Sequence, residues 1–249
     1  MKVLFLLVAF FLLGLFFVSD KNHAQSPAGP RKLVLVELFT SEGCSSCPPA
    51  DRLLMELKQK QPVANAQVIA LGQHVDYWNS IGWTDRFSSA QFTARQQLYA
   101  DRLNDGPYTP QTVIDGAVSL VGNDANGVRS AIARAAITAK PVRVDLTKAG
   151  DQVRIDLVGL LNSSPEVFFA LVEDDLESRV SAGENDGVTL HHVAVARELR
   201  SLGRASGSEW TTSVPIQLAK GERKEKSQVL VFLQDSTGKV VGVNTLALR

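Results

Sequence analysis

Cysteine is nearly absent: the 249 residues contain two, Cys44 and Cys47. A pair three positions apart cannot staple a fold, because closing so small a ring is worth only about 2 kcal/mol on loop-closure entropy. Neither charge sign is in surplus, with Lys plus Arg and Asp plus Glu at 26 each. A phosphate-rich partner such as nucleic acid is therefore not expected, nor is a disordered acidic tail. G-x-S-x-G, the P-loop and G-x-G-x-x-G are all missing, which removes the commonest serine-hydrolase, nucleotide and dinucleotide signatures. Long apolar runs are also missing after the first residues, so no later stretch could cross a bilayer.

The one long apolar run lies at the start. Lys2 precedes an apolar segment from Val3 to Val18, followed by polar "SDKNHAQS", the pattern of an export signal over residues 1–25. As a helix this run would reach roughly 24 Å, short of the roughly 30 Å hydrocarbon core. Removal, with cleavage after Ala24, is expected; an uncleaved anchor is the alternative. Export places the mature protein in the periplasm or outside the cell, where disulfides persist.

Past a Pro/Gly linker (26–32), "KLVLVELF" (32–39) is continuously apolar and branched, as in a central strand buried on both faces. Pro48 and Pro49 suit a first helical turn, and Leu53, Leu54 and Leu57 follow with helical spacing. A second strand is read over 66–75, a loop or lid over 76–89, helices over 89–104 and 123–140, and two short strands within 105–122 turning at Asp115-Gly116. After Pro141 the apolar period becomes two, and seven strand-like runs, among them "VTLHHVAVARE" (188–198), extend to residue 246. The expected organisation is an α/β domain at 31–140 followed by an antiparallel, sandwich-like all-β domain at 141–249.

The cysteines thus fall between a strand and a helix. Disulfide exchange needs one thiolate to attack and a second thiol to expel the mixed disulfide, and C-x-x-C at a helix start supplies both. Cys44 would be the outer, attacking residue and Cys47 the resolving one. The helix terminus favours a thiolate by only about 0.3–1 kcal/mol, and Glu42 nearby opposes it, so a modest depression of the Cys44 pKa is expected. A zinc or copper site using Cys44, Cys47 and His74 is the binding alternative. A non-catalytic interaction protein is the third.

In this element order "GCSSCPP" resembles the active-site turn of the thioredoxin superfamily, with "YTPQTVIDG" (108–116) at the position of its proline turn. The resemblance implies a cis bond before Pro110, with the Thr109 backbone beside the cysteines. More closely, "VELFTSEGCSSCPPAD" (36–51), "HVDYWNSIGWTDRFSSAQFTARQQLYA" (74–100) and "LHHVAVARELRSLG" (190–203) resemble a family of exported thioredoxin-like proteins catalogued as a domain of unknown function. That resemblance bears on fold and not on activity; the C-x-x-C pair itself makes a thiol-disulfide oxidoreductase, acting on protein or small thiols without a soluble cofactor, the main expectation. Gly43 stands where thioredoxins carry tryptophan, and Ser45-Ser46 where they carry Gly-Pro. Their buried carboxylate has its nearest counterpart in Glu37, a proton acceptor for Cys47 or else a solvent-facing strand-end residue. His74, Asp76, Tyr77, Trp78 and Trp83 should border the same edge, where His74 would move protons or bind metal, or else His74 and Asp76 cap each other while the aromatics pack the lid. Arg95, Gln96 and Tyr99 read as a polar helix face, and either of His191 and His192 as a structural histidine.

Overall fold

The computed structural model describes residues 31–160 and 164–249; the expected export signal lies outside them. The first half runs β1 (Lys32–Thr40), α1 (Pro48–Lys60), β2 (Ala66–His74), α2 (Ala90–Leu103), β3 (Gln111–Ile114), β4 (Val118–Val121) and α3 (Ala125–Ala135). Strands β5 (Arg143–Ala149), β6 (Gln152–Val158), β7 (Glu166–Glu173), β8 (Leu176–Arg179), β9 (Thr189–His192), β10 (Val195–Arg204), β11 (Glu209–Pro215), β12 (Ser227–Gln234) and β13 (Val240–Ala247) follow.

Local chemistry accounts for the elements nearest the cysteines. β1 is buried from Val34 through Thr40 because strands cover both its edges and other layers both its faces. Helix α1 starts with two prolines, where no backbone donor is lost. Its Leu53, Leu54 and Leu57 are buried, each worth roughly 2 kcal/mol of transfer free energy. The β3–β4 turn has two successive left-handed residues, Asp115 (φ 47°) and Gly116 (φ 65°), as a two-residue hairpin requires. A Cβ on Gly116 would lie 2.1 Å from the Gly238 carbonyl oxygen, so only glycine fits.

Eight strands form one mixed sheet in the order β13-β12-β7-β10-β2-β1-β3-β4, while β11-β6-β5 and β8-β9 form smaller sheets. β1 and β2 are parallel, and β3 runs antiparallel to β1. The expectation of a self-contained all-β second half is corrected here: four of its strands continue the sheet begun by the first. The junction is β10, which meets β2 at Val195↔Gly72 and pairs β7 on its other side. The run read as one strand over 188–198 is broken at Ala194, whose φ of 53° turns β9 out of the large sheet to pair with β8. One core joins α1 and α3 to the large sheet. A second lies between β5-β6-β11 and the β7 and β12 residues facing them.

Glu37 is fully buried and far more committed than a strand-end residue. Its Oε2 accepts from Arg95 Nε (2.7 Å) and Gln73 Nε2 (2.8 Å), and its Oε1 from Arg95 Nη2 (3.0 Å) and the Tyr99 hydroxyl. The solvent-facing reading of Glu37 is thereby corrected: its lone pairs are taken up by Arg95 and Tyr99 of α2 and by Gln73 of β2. The α2 face read as polar and solvated points inward: Arg95, Gln96 and Tyr99 are all buried. The Arg95 guanidinium also lies 5.0 Å from the ring centroids of Phe168 and Phe232. Arg95→Leu should lower unfolding free energy by about 3–5 kcal/mol, since it strands a buried carboxylate, and a Glu37→Gln/Arg95→Met double variant should recover much of that loss. Urea unfolding midpoints at unchanged m-value measure both.

Candidate active site

Cys44 and Cys47 form a disulfide with Cα atoms 5.4 Å apart, in the turn that leaves β1 and enters α1. Ser41 O accepts from Cys44 N (3.2 Å), Cys44 O from Cys47 N (3.2 Å) and Cys47 O from Ala50 and Asp51 N (2.8 and 3.1 Å). The turn therefore passes into the helix without a break. Gly43 permits this path, because a Cβ there would sit 3.2 Å from Trp78 Cβ.

The Thr109–Pro110 bond is cis, as the resemblance implies. The Ser46 hydroxyl donates to Thr109 O (3.5 Å), and the Cys44 sulfur lies 3.3 Å from Ser46 Oγ. Trp78 Nε1 donates to Thr109 Oγ1 (2.8 Å). Gln96, set aside on sequence grounds, positions this segment: its amide donates to Tyr108 O (2.7 Å) and Gln111 Oε1 (2.9 Å), and its oxygen accepts from Tyr77 (3.1 Å). Its inward direction was the missing signal. Cys44, Cys47, Thr109 and Pro110 are thus gathered, while Glu37 is not among them.

Exposure of Cys44 is the main correction. Both cysteines are 0% exposed, because the connection between β8 and β9 folds over the turn. Within its 3-10 turn, Gly183–Asn185, Asn185 Nδ2 donates to the backbone oxygens of Glu42 (2.8 Å) and Cys44 (3.0 Å). Glu184 Oε2 accepts from Ser45 N (3.0 Å) and Ser45 Oγ (2.7 Å), and these bonds hold its carboxyl below the usual range. Ser45 and Ser46 remain exposed. The Cys44 sulfur is closed to a reagent while the turn and the strap bound to it keep this packing.

Beneath the strap lies a buried polar cluster. His74 Nδ1 is 2.6 Å from Asp85 Oδ2, which also accepts from Glu42 N (2.9 Å); Asp85 Oδ1 accepts from Phe87 N (2.8 Å). Asp76 instead accepts from the Thr93 hydroxyl (2.6 Å), so the mutual cap of His74 and Asp76 is not formed. Trp83 Nε1 donates to Glu42 Oε2 (2.8 Å). The His74 and His192 rings are 4.8 Å apart. His192 Nε2 is 3.3 Å from Glu42 Oε1 without hydrogen-bond alignment, leaving Glu42 Oε1, Ser178 Oγ and both His192 nitrogens unpartnered. His192 is thus the buried member of its pair, yet not a satisfied structural histidine. Asp51 accepts from the Thr40 hydroxyl (3.2 Å). Among the described residues, with Cys44 and Cys47 joined in a disulfide, no three His, Cys, Asp or Glu side chains are grouped to hold a metal ion.

Burial sets the electrostatics first and neighbours revise it. Burial pulls His74 down, but Asp85, and then Asp51 and Glu42, outweigh it and raise the imidazole above its ordinary value. Burial pushes Asp85 up, yet His74 and two backbone donors hold it low. Glu42 is pushed up by burial and by Asp85, but contacts from His192, Ser178 and Trp83 leave it net lowered. Asp51 is raised by its burial.

Two outcomes follow. Asn185→Ala should raise the alkylation rate of the reduced protein at Cys44 by about tenfold, the equivalent of about 1.4 kcal/mol of strap closure. Peptide mapping of the labelled cysteine checks it. His74, raised on folding, contributes stability that is complete below about pH 6.5 and is lost as pH rises through its folded pKa. Chemical unfolding should therefore show stability declining from pH 6 to 9 in the parent, with a flatter profile in His74→Gln.

The family model described as "Protein of unknown function (DUF1223)" matches residues 35–234. The chain is 30% identical to protein AGR_C_4864 from Agrobacterium tumefaciens, whose crystal structure superposes with a TM-score of 0.73 over 89% of this chain and 97% of that one. A DUF3823 family protein from Bacteroides ovatus (16% identity, 43% of this chain, 55% of that one) and a domain of the outer membrane lipoprotein Omp28 from Porphyromonas gingivalis (12%, 45% and 91%) give TM-scores of only 0.27 and 0.28. No curated protein matches significantly. The protein belongs to the DUF1223 family.

Proposed function

We propose that this is an exported thiol-disulfide oxidoreductase of thioredoxin-like architecture, exchanging the Cys44–Cys47 disulfide with protein or small-molecule thiols. The carrying observation is a C-x-x-C disulfide at the start of a helix, linked through Ser46 to the backbone of a cis Thr109–Pro110 pair. The order β1-α1-β2-α2-β3-β4-α3, with β1 and β2 parallel and β3 and β4 antiparallel, supports the architecture. Export rests on the Val3–Val18 run. No helix among the described residues is long and apolar enough to cross a membrane.

In the reducing direction the Cys44 thiolate attacks one sulfur of a substrate disulfide. That bond breaks, and one substrate sulfur leaves as a thiolate that takes a proton. Cys47 then attacks Cys44, releasing the second substrate thiol and restoring the protein disulfide. Two electrons pass from the dithiol to the substrate, and no cofactor takes part. Strap opening precedes the first attack. Glu42 and Asp85, both held ionised beneath the turn, oppose thiolate formation and so favour the disulfide over a strongly oxidising pair.

The burial of both sulfurs also suits a second reading, an inert disulfide that anchors the strap in a binding protein. One experiment separates the two. Cys47→Ser should accumulate mixed disulfides with thiol-bearing proteins of its native compartment, and Cys44→Ser should neither trap partners nor turn over a dithiol-coupled disulfide substrate. Equal turnover in the parent and both variants would defeat the exchange reading.

A further inference from the structure

With Glu37 committed to Arg95, Cys47 lacks the proton acceptor that its resolving role requires. We propose that Asp51 is that group, exchanging protons with solvent through a cleft between α1 and the β8–β9 hairpin; this rests on the exchange reading above. The bond from Asp51 N to Cys47 O (3.1 Å) shows that helical geometry already holds from Cys47 to Asp51. Residues four apart on a helix share one face, and side chains tilt toward the N-terminus, so the Asp51 carboxyl leans toward the level of Cys47. Asp51 is 9% exposed, and of its side-chain oxygens only Oδ2 has a hydrogen-bond partner, Thr40 at 3.2 Å.

The remaining exposure opens on a cleft of about 800 Å³, lined by Pro48, Asp51 and Met55 of α1 and by Leu176, Leu190 and His192 of the hairpin. The cleft is lined by neither Thr109 nor Pro110, so protons need not cross the edge formed by that cis pair. Several charges face Asp51. His192 from β9 and His74 from β2 favour its ionised form, and Asp85 opposes it. Around the cleft Arg52 and Lys58 come from α1, His191 from β9, Asp174 and Asp175 from the β7–β8 junction, and Lys226 from the turn before β12. The Lys58–Asp174 and Lys226–Asp175 pairs largely cancel. Burial still leaves the carboxyl raised, nearer the value at which it can both accept and return a proton at working pH.

The balanced step is the resolution of the mixed disulfide. The Cys47 proton passes to the Asp51 carboxylate, and Cys47 Sγ bonds to Cys44 Sγ. The bond from Cys44 to the substrate sulfur breaks, and the departing thiolate takes up a proton as Asp51 returns its own to the cleft. In the reverse direction Asp51 protonates Cys47 as it leaves.

Quenched single-turnover kinetics with an aromatic disulfide measures attack and resolution separately across pH 5–9. Asp51→Asn should leave attack at Cys44 within about twofold, slow resolution by at least about tenfold and remove the acid limb of its pH profile, so that resolution rises only near ordinary thiol ionisation at about pH 8.5. Asp51→Glu should restore that limb in part. In the unsubstituted protein, the Asp51 carboxyl titration followed by carbon NMR should differ between disulfide and dithiol forms. Unchanged resolution in Asp51→Asn, or identical titrations, would overturn the assignment of Asp51. A parent protein that never forms the mixed disulfide would overturn the exchange reading, and this one with it.

Discussion

A buried carboxylate must find donors for its lone pairs, and Asp85 does so from three directions. His74 on β2, the Glu42 amide in the cysteine turn and the Phe87 amide all converge on it. Without these donors an ion 2% exposed would carry several kcal/mol of desolvation. The constraint fixes the path of the turn relative to β2, and with it the height at which the disulfide meets α1. Glu42 extends the network upward: Trp83 and His192 reach its side chain, and Asn185 its backbone.

The result is a candidate site assembled from both halves of the chain. Strand, turn and helix supply the disulfide, and a segment about 140 residues later covers it. Asp175 (φ 59°) and Ala194 (φ 53°) bracket the covering hairpin in left-handed conformations that non-glycine residues seldom adopt. Ala194 is held by its N–H to Asp174 Oδ1 (2.8 Å) and by its carbonyl accepting from Gly72 N (2.7 Å). The base of the hairpin is therefore anchored, while its tip rests on four hydrogen bonds to the turn. Each is worth about 1 kcal/mol net, which makes the tip the easier part to release.

Much of the fold near the site was legible because it follows local rules. Pro48 and Pro49 start α1, Asp115-Gly116 closes the β3–β4 hairpin, and alternation marks β5 and β6. Other features were misread for a common reason. Arg95 looked solvated because charged residues usually are, yet it meets Glu37 across 58 positions. The run over 188–198 read as one strand because the turn at Ala194 is imposed by contacts with Asp174 and Gly72 and not by any glycine. Nothing in the sequence singled out Asp51, an acid in the first turn of α1 that the fold buries.

The sequence by itself determined that two cysteines stand one helical turn apart at a strand-to-helix junction, with a Thr-Pro turn downstream, because those features depend on neighbours within a few residues. Only the tertiary structure decided whether the sulfurs meet solvent, which carboxylates are buried and what His74 and His192 touch. These depend on side chains brought together across 11 to 150 positions, and burial, which governs both reactivity and charge, is a property of that assembly.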